Sequence, residues 1–407
     1  MTVISSLTPV QIAGLSTTAI QGLTTTDIQS LATTQVAALT AAQVNILNST
    51  DIKAFLTTQV AALSPSIINA LLSLQVQQFV DTQISALTAT EVSKLTAAQI
   101  GTLSSTELQN LSTTQANALT ATQIGTLSTT VLNKLSTTQV GALSTTQVQG
   151  LTTTQLNAIN NTTLDALSVA KLSTAQVTGL TSTTFGNLTA TQISTLTATE
   201  VAKLTAAQIG TLSSTELHNL STTQANALTA TQIGTLSTTV LNNLTTTQVG
   251  ALSTAQVQGL TTTQLNAINN TTLDALSVAK LSTAQVSGLT TTAFGNLTAT
   301  QISTLTATEI SALTAGEVNQ LSTTEISAFT STQVGALTST QIGALSTARF
   351  DAITSTTGIP AISVAAIAGL TTTEISSLST TQGNAFTSTQ IQAMSIAQLD
   401  ALVTLVG

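Results

Sequence analysis

The sequence predicts an all-α solenoid of very short, capped helices, with one helix in each octapeptide repeat. Three observations predict it. Leucine recurs every eight residues with few interruptions, most octads carry the pattern of a helix start, and the glutamates occupy the end of the predicted helix that its dipole favours. A β-solenoid is the alternative, because threonine, valine and isoleucine favour strands.

The octad reads Leu-[Ser/Thr]-x-[Thr/Ala]-[Gln/Glu]-[Val/Ile/Leu]-x-[Ala/Gly/Asn], and its leucine is numbered position 1. A hydroxyl at position 2 with Gln or Glu three residues later forms a capping box, which predicts a helix start. Pro9 and Pro65 fall at position 3, where a fixed φ suits the first helical residue. All glutamates fall at position 5, in the first turn of the predicted helix, where the dipole favours an anion.

The buried residues are predicted at positions 1 and 6, where all seven phenylalanines fall. These two positions have opposite parity, whereas a strand buries alternate residues. A helix of about six residues is unstable alone, so each must pack against neighbouring octads. We therefore expect a narrow aliphatic core under a surface of Thr, Ser and Gln. Representative core residues are Leu135, Val140, Leu143, Val148, Leu151, Phe185 and Phe294.

The octads predict three segments along the chain. Residues 1–352 form a continuous array, in which 91–199 and 200–308 are near-identical long repeats. Each long repeat contains a five-residue remnant of an octad, Leu-Ser-Val-Ala-Lys. Residues 353–369 are an irregular break with a kink or bulged turn. Residues 370–407 are terminal octads with a C-terminal segment for capping, secretion or assembly.

The composition excludes several classes of function. Only 5% of residues are charged and the formal net charge is −8, which opposes binding of nucleic acid through a basic patch. The chain has no cysteine, so it has no thiolate metal site. No apolar run approaches the roughly 18 residues that a membrane span needs. No Sec signal peptide is visible, so any export must use a route that does not need one.

No motif pairs a nucleophile with a base or cradles a phosphate, so we expect a protein that is not an enzyme and holds no cofactor. Glu309, Glu317 and Glu325 fall in successive octads. They are the candidate ligands of a weak cation site, for which calcium is the natural ion.

The octads, for example LSTTQVGALSTTQVQGL at 135–151, resemble Thr/Ser/Gln-rich tandem repeats of large bacterial surface and secreted proteins. Those include adhesin-like and S-layer-like proteins that type I systems often export. The resemblance implies a structural role outside the cell. We expect a homo-oligomer, assembled end to end or laterally into a fibre, surface layer or stalk. The candidate assembly residues are the apolar Leu402, Val403, Leu405 and Val406.

Two other functions remain open. An adhesin or binding module would recognise glycans, such as a cell-surface polysaccharide, or another surface through the irregular stretches 63–80 and 353–369. An ice-binding protein would line one flat face with the threonines of positions 3 and 4, since regular Thr rows can order water.

Overall fold

The computed structural model describes residues 3–407, and within this range it contains helices and no strand. The all-α prediction is therefore confirmed and the β-solenoid is ruled out. By their internal contacts the residues form two compact units, one extending through Leu204 and one running from Thr205 to Gly407.

The first unit begins with a 3-10 helix, Val3–Ser6, and contains a second, Val169–Lys171. Its α-helices are Pro9–Ala13, Thr17–Gln21, Thr25–Ser30, Thr33–Ala37, Ala41–Val44, Ser49–Ala54, Thr57–Val60, Pro65–Ala70, Ser73–Val76, Asp81–Ala86, Ala89–Val92, Ala97–Gly101, Ser105–Asn110, Thr113–Ala116, Ala121–Thr126, Thr129–Leu132, Thr137–Ala142, Thr145–Gly150, Thr153–Leu156, Asn161–Ala166, Thr174–Thr178, Ser182–Gly186, Ala190–Ser194 and Ala198–Val201.

The second unit has three 3-10 helices, Val278–Lys280, Ile359–Ala361 and Val364–Gly369. Its α-helices are Ala206–Gly210, Ser214–Asn219, Thr222–Ala227, Ala230–Thr235, Thr238–Asn242, Thr246–Gly250, Thr254–Gly259, Thr262–Leu265, Asn270–Ala275, Thr283–Ser287, Thr291–Gly295, Ala299–Ser303, Ala307–Ala312, Ala315–Val318, Thr323–Ser327, Ser331–Gly335, Ser339–Ile342, Thr347–Phe350, Thr372–Ser377, Thr380–Gly383, Ser388–Gln392 and Ile396–Val406.

The helix of one octad shows why each one starts and stops where it does. Ser144 is extended, and its hydroxyl accepts a hydrogen bond from Gln147 N at 3.3 Å. In return, Ser144 N donates to Gln147 Oε1 at 2.9 Å. The helix ends at the next leucine, Leu151, which is again extended and donates from its N–H to Val148 O at 3.1 Å. Extended residues at positions 1 and 2 therefore make a corner between consecutive helices.

Three octads make one turn of the array. In both units a helix packs against the third helix along the chain, as Thr25–Ser30 does against Ser49–Ala54 and Thr246–Gly250 does against Asn270–Ala275. Positions 1 and 6 point between these stacked helices and form the core. The seven core residues named from the sequence are all buried: Leu135, Val140, Leu143, Val148, Leu151, Phe185 and Phe294.

The five-residue remnant takes the place of a whole octad. Its 3-10 helix buries Val169, and Leu172 N donates to Val169 O at 2.9 Å, the bond that position 6 accepts in an ordinary octad. Three residues are thus missing between the cap and the core position, and the core is unbroken. The second copy, Val278–Lys280, is built in the same way.

The irregular segment after Phe350 is one residue longer than an octad, and a bulged turn absorbs the excess. Ile359 N donates to Thr354 O at 2.8 Å, which spans five residues, whereas an ordinary octad spans four. Ile353 and Ile359 are both buried and so keep the roles of positions 1 and 6. A Cβ on Gly358 would lie 2.5 Å from Ile353 Cγ2, so this bulge requires glycine.

Some stacked helices approach closely at a glycine of position 7 or 8. A Cβ on Gly150 would lie 2.6 Å from Ala121 O and 2.9 Å from Ala121 Cβ. Gly150→Ala must push two backbones apart, and we expect it to lower the free energy of unfolding by about 2 kcal/mol. Urea unfolding followed by circular dichroism measures this change.

Gly101→Ala is the matched control, because a Cβ on Gly101 meets nothing within 4 Å. Alanine is the better helix former, so this change should raise the free energy of unfolding by about 0.5–1 kcal/mol. Changes of the same sign in the two variants would contradict the close approach.

Candidate functional site

The glutamine of position 5 joins each turn of the array to the turn before it. Gln99 is 1% exposed, and its Oε1 accepts from Thr96 N at 2.6 Å. Its Nε2 donates to Ile68 O at 2.8 Å and to Leu71 O at 2.7 Å, 31 and 28 residues earlier. One amide thus caps its own helix and satisfies two carbonyls of the neighbouring turn, which uses both of its N–H donors.

This arrangement repeats through both units, and we call it the glutamine network. Its members each donate from Nε2 to two backbone carbonyls of the turn before. In the first unit they include Gln35, Gln43, Gln59, Gln75, Gln83, Gln99, Gln115, Gln123, Gln139, Gln147, Gln155, Gln176 and Gln192. In the second they include Gln248, Gln256, Gln264, Gln285, Gln301, Gln333, Gln341, Gln382, Gln390 and Gln398.

The sequence placed Gln on the surface, and the structure corrects this, because position 5 is buried in most octads that have another turn below them. In the first described turn position 5 is held by Gln11, Ala19 and Asp27, and none of the three is buried. Thr24 donates to the Asp27 carboxylate from its hydroxyl at 2.7 Å and from its N–H at 3.0 Å, and these bonds lower the pKa of Asp27.

Where an octad has no glutamine, a basic side chain can supply the missing donor. Val131 stands at position 5 of its octad, and Lys134 Nζ of the same octad donates to Leu103 O at 2.9 Å. In the remnant, Lys171 Nζ donates to Leu143 O. Arg349 stands at position 5 itself and donates from Nε to Leu321 O at 2.6 Å. Each of the three accepting carbonyls belongs to the leucine of position 1, the carbonyl that glutamine normally binds.

Asparagines at position 7 can replace the acceptor oxygen with which glutamine caps its own helix. Thr163 and Thr184 stand at position 5 and cannot reach their own cap N–H groups. The Asn160 N–H instead donates to Asn133 Oδ1 at 3.0 Å, and the Thr181 N–H donates to Asn157 Oδ1 at 2.9 Å. The second long repeat has the corresponding pairs Asn269–Asn242 and Thr290–Asn266.

Lys134→Met should remove the donor to Leu103 O and keep the apolar stem of the side chain. A part-buried carbonyl loses a charge-assisted bond, so we expect the free energy of unfolding to fall by about 1.5–3 kcal/mol. Thermal unfolding measures this change. Lys53→Met is the control, because Lys53 is exposed and its replacement should change the stability little. Equal losses in the two variants would show that the lysine contributes only through general charge.

Glutamate at position 5 can cap its helix but cannot donate to the turn before. Among the described residues, Glu317 and Glu374 each have a buried Oε1 atom without a hydrogen-bond partner. Burial raises the pKa of Glu91 and of Glu374, and the bonds from Thr88 and Thr371 oppose this rise. At Glu317 and Glu374 the glutamine network therefore lacks a donor to the turn before.

The three glutamates named as a candidate cation site are not brought together. Each accepts from its own cap N–H, as Glu309 does from Thr306 N at 2.7 Å, Glu317 from Thr314 N at 2.6 Å and Glu325 from Ser322 N at 2.7 Å. No group of three His, Cys, Asp or Glu side chains with metal-binding geometry occurs in residues 3–407. The successive octads place these carboxylates on three different sides of one turn.

The candidate assembly residues belong to the C-terminal helix Ile396–Val406, which is longer than the others and packs against Thr372–Ser377. Leu402 is buried, so it is a core residue. Leu405 and Val406 are half-buried and lie against the backbone of Gly383. Val403 is 66% exposed and is the one of the four that presents an open apolar surface.

The described helices include none that is long and apolar enough to span a membrane. A model of the ALTTAQ repeat matches residues 125–153, 201–238 and 310–347, about a quarter of the chain. No curated protein matches. Among solved structures, a leucine-rich repeat-containing protein, LegL7 from Legionella pneumophila, is 13% identical, with 60% of this chain and 80% of that chain covered and a TM-score of 0.17.

A TM-score this low carries no argument about the fold, which rests on the stacked helices themselves. The matched repeat segments lie within the octad array, whose helices stack three octads per turn. The chain is a tandem-repeat protein with a helical, solenoid-like fold.

Proposed function

We propose that this is a non-enzymatic structural protein that works outside the cell or at its surface and assembles with itself into a fibre, layer or stalk. The glutamine network carries the proposal. Each turn supplies the donors for the carbonyls of the turn before, so the polar side chains of the repeat hold the array together. Extra turns lengthen such an array without changing its design.

The charge of the surface supports association between copies. Only 5% of residues are charged, and the exposed positions of the octad are mostly hydroxyl-bearing. Copies with so little charge repel each other weakly, which favours lateral and end-to-end contact. Val403, exposed on the C-terminal helix, is the first residue to test in such a contact.

Electron microscopy of the purified chain, with and without calcium, tests the proposal. Ordered filaments or sheets are expected, and Val403→Glu should reduce them if the C-terminal helix takes part. Thr324→Glu, a charge at an exposed position 4, is the control for added charge alone. Single particles at every concentration and in both conditions would exclude self-assembly.

An adhesin or binding module is the second candidate, and one observation favours it. Leu56, Leu72 and Val80 stand at position 2, where a hydroxyl normally caps the helix, and none makes a side-chain cap bond. All three are exposed, and the neighbouring Leu74 is 70% exposed. At these positions the sequence lacks the hydroxyl that would cap the helix and exposes an apolar side chain to solvent.

The double change Leu72→Thr and Leu74→Thr restores the ordinary octad. We expect the change to preserve or raise stability, because a threonine cap contributes about 1 kcal/mol. Binding to an immobilised cell-surface polysaccharide should then be lost if this patch is a binding surface. Unchanged binding by a folded variant would remove the patch from consideration.

A further inference from the structure

Glu374 occupies the place of a network glutamine next to the C-terminal helix. Its Oε2 accepts from Thr371 N at 2.7 Å and from the Thr371 hydroxyl at 2.8 Å. Its Oε1 is buried without a partner, and the residue is 2% exposed. The carboxyl group therefore accepts the capping bonds that a glutamine would accept. It does not make the bonds that a glutamine donates to the turn before.

The register of the array identifies what Oε1 faces. Gln382, in the next octad, reaches across the bulged turn to Ile353 O, 29 residues earlier. The same offset from Glu374 leads to Leu345, the position 1 residue of its stacked octad. The helix Thr372–Ser377 does pack on Thr347–Phe350 of that octad. An ionised carboxylate would thus direct an acceptor oxygen towards a backbone carbonyl, with no hydrogen between them.

We propose that Glu374 is an acid-operated latch for the C-terminal turn. When a proton from solvent binds Oε1, the resulting O–H donates to the Leu345 carbonyl and takes the role of the glutamine amide. When the proton leaves, this bond is lost and the helix Ile396–Val406, which packs on Thr372–Ser377, opens more often. The latch closes in acid and loosens near neutral pH.

Three charged side chains lie on or beside the elements that pack against the helix of Glu374. The two elements packed against its helix carry Arg349 and Asp400, and Ser377 of the same helix donates from its hydroxyl to Asp351 Oδ1 at 2.6 Å. Arg349 is engaged elsewhere, with its Nε on Leu321 O and its Nη1 on the Ser346 hydroxyl.

The sign of the pH effect follows from the burial of the carboxyl group. Burial raises the pKa of Glu374 in the folded chain, and the two Thr371 bonds oppose the rise. A raised pKa means that the latch contributes fully below the unfolded value of about 4.3 and is lost as pH rises through the folded value.

Amide hydrogen exchange of residues 396–406 at pH 4 and pH 7, each corrected for the intrinsic exchange rate, tests the latch. In the unmodified chain we expect about tenfold less protection at pH 7 than at pH 4, the change expected when one hydrogen bond of the C-terminal turn is lost. Glu374→Gln supplies a permanent donor, so its protection at pH 7 should rise to the value at pH 4.

Glu325→Gln is the matched control, because Glu325 also holds position 5 but is not buried and borders a small cavity. This variant should keep the pH dependence of the unmodified chain. Equal protection at both pH values in the unmodified chain would overturn the proposal. So would a Glu374→Gln variant, shown to be folded by circular dichroism, whose protection still falls as pH rises.

Discussion

Phe185→Ala is expected to lower the free energy of unfolding by about 4 kcal/mol, because it truncates one of the largest fully buried side chains of the core. Phe185 is 0% exposed at position 6, where the ordinary residue is Val or Ile, so alanine leaves a cavity between stacked helices. A helix of five residues, Ser182–Gly186, has little stability of its own to compensate. Urea unfolding measures the loss, together with hydrogen exchange to locate it.

The chain contains an internal replicate of this experiment. Phe294 has the same position in the second long repeat and is 1% exposed, so Phe294→Ala should cost nearly the same. Phe185→Leu fills most of the space and should cost less than about 1.5 kcal/mol. A leucine variant as unstable as the alanine variant would show that volume is not what this position requires.

Gln99→Glu is expected to lower the free energy of unfolding by about 3 kcal/mol at pH 7. The two Nε2 bonds to Ile68 O and Leu71 O disappear, and a buried carboxylate oxygen takes their place. Burial should raise the pKa of the new carboxyl group above its unfolded value of about 4.3. The lost stability should therefore return below that value, where the protonated group can donate again.

Gln11→Glu is the control for this change. Gln11 makes the same capping bond, from Thr8 N to Oε1 at 2.8 Å, but is exposed in the first turn. A glutamate there keeps the cap and lies at the favourable end of the helix dipole, so stability at pH 7 should hardly change. Thermal unfolding of both variants from pH 4 to pH 8 gives the comparison. Equal losses would mean that capping, and not the contact between turns, selects glutamine.

The helices and their core could be predicted from the sequence because the signals for both lie within a single octad. A cap such as Ser144 with Gln147 involves residues three apart, and positions 1 and 6 differ in hydrophobicity from their neighbours. The burial of position 5 could not be read from the capping box, which glutamate satisfies as well as glutamine. The signal that could have revealed it was the preference for glutamine, since only the amide donates as well as accepts.

The number of octads per turn could not be predicted, because identical octads do not mark which of them are neighbours in space. The irregular octads do carry that information. Val131 replaces the usual glutamine, and Lys134 of the same octad donates to the turn before in its place. Asn133 accepts from the N–H of Asn160 in the next turn, where the octad has no glutamine to do so. A search of the sequence for such paired substitutions at a fixed spacing could give the number of octads per turn.

The direction of the glutamine bonds has a consequence for synthesis. Each Nε2 reaches back 28 to 31 residues in the ordinary octads, to carbonyls that left the ribosome earlier. A nascent chain therefore holds the acceptors for every new turn before the donors emerge. Order can advance behind the ribosome one helix at a time, and no early segment has to wait for a distant strand or domain to be translated.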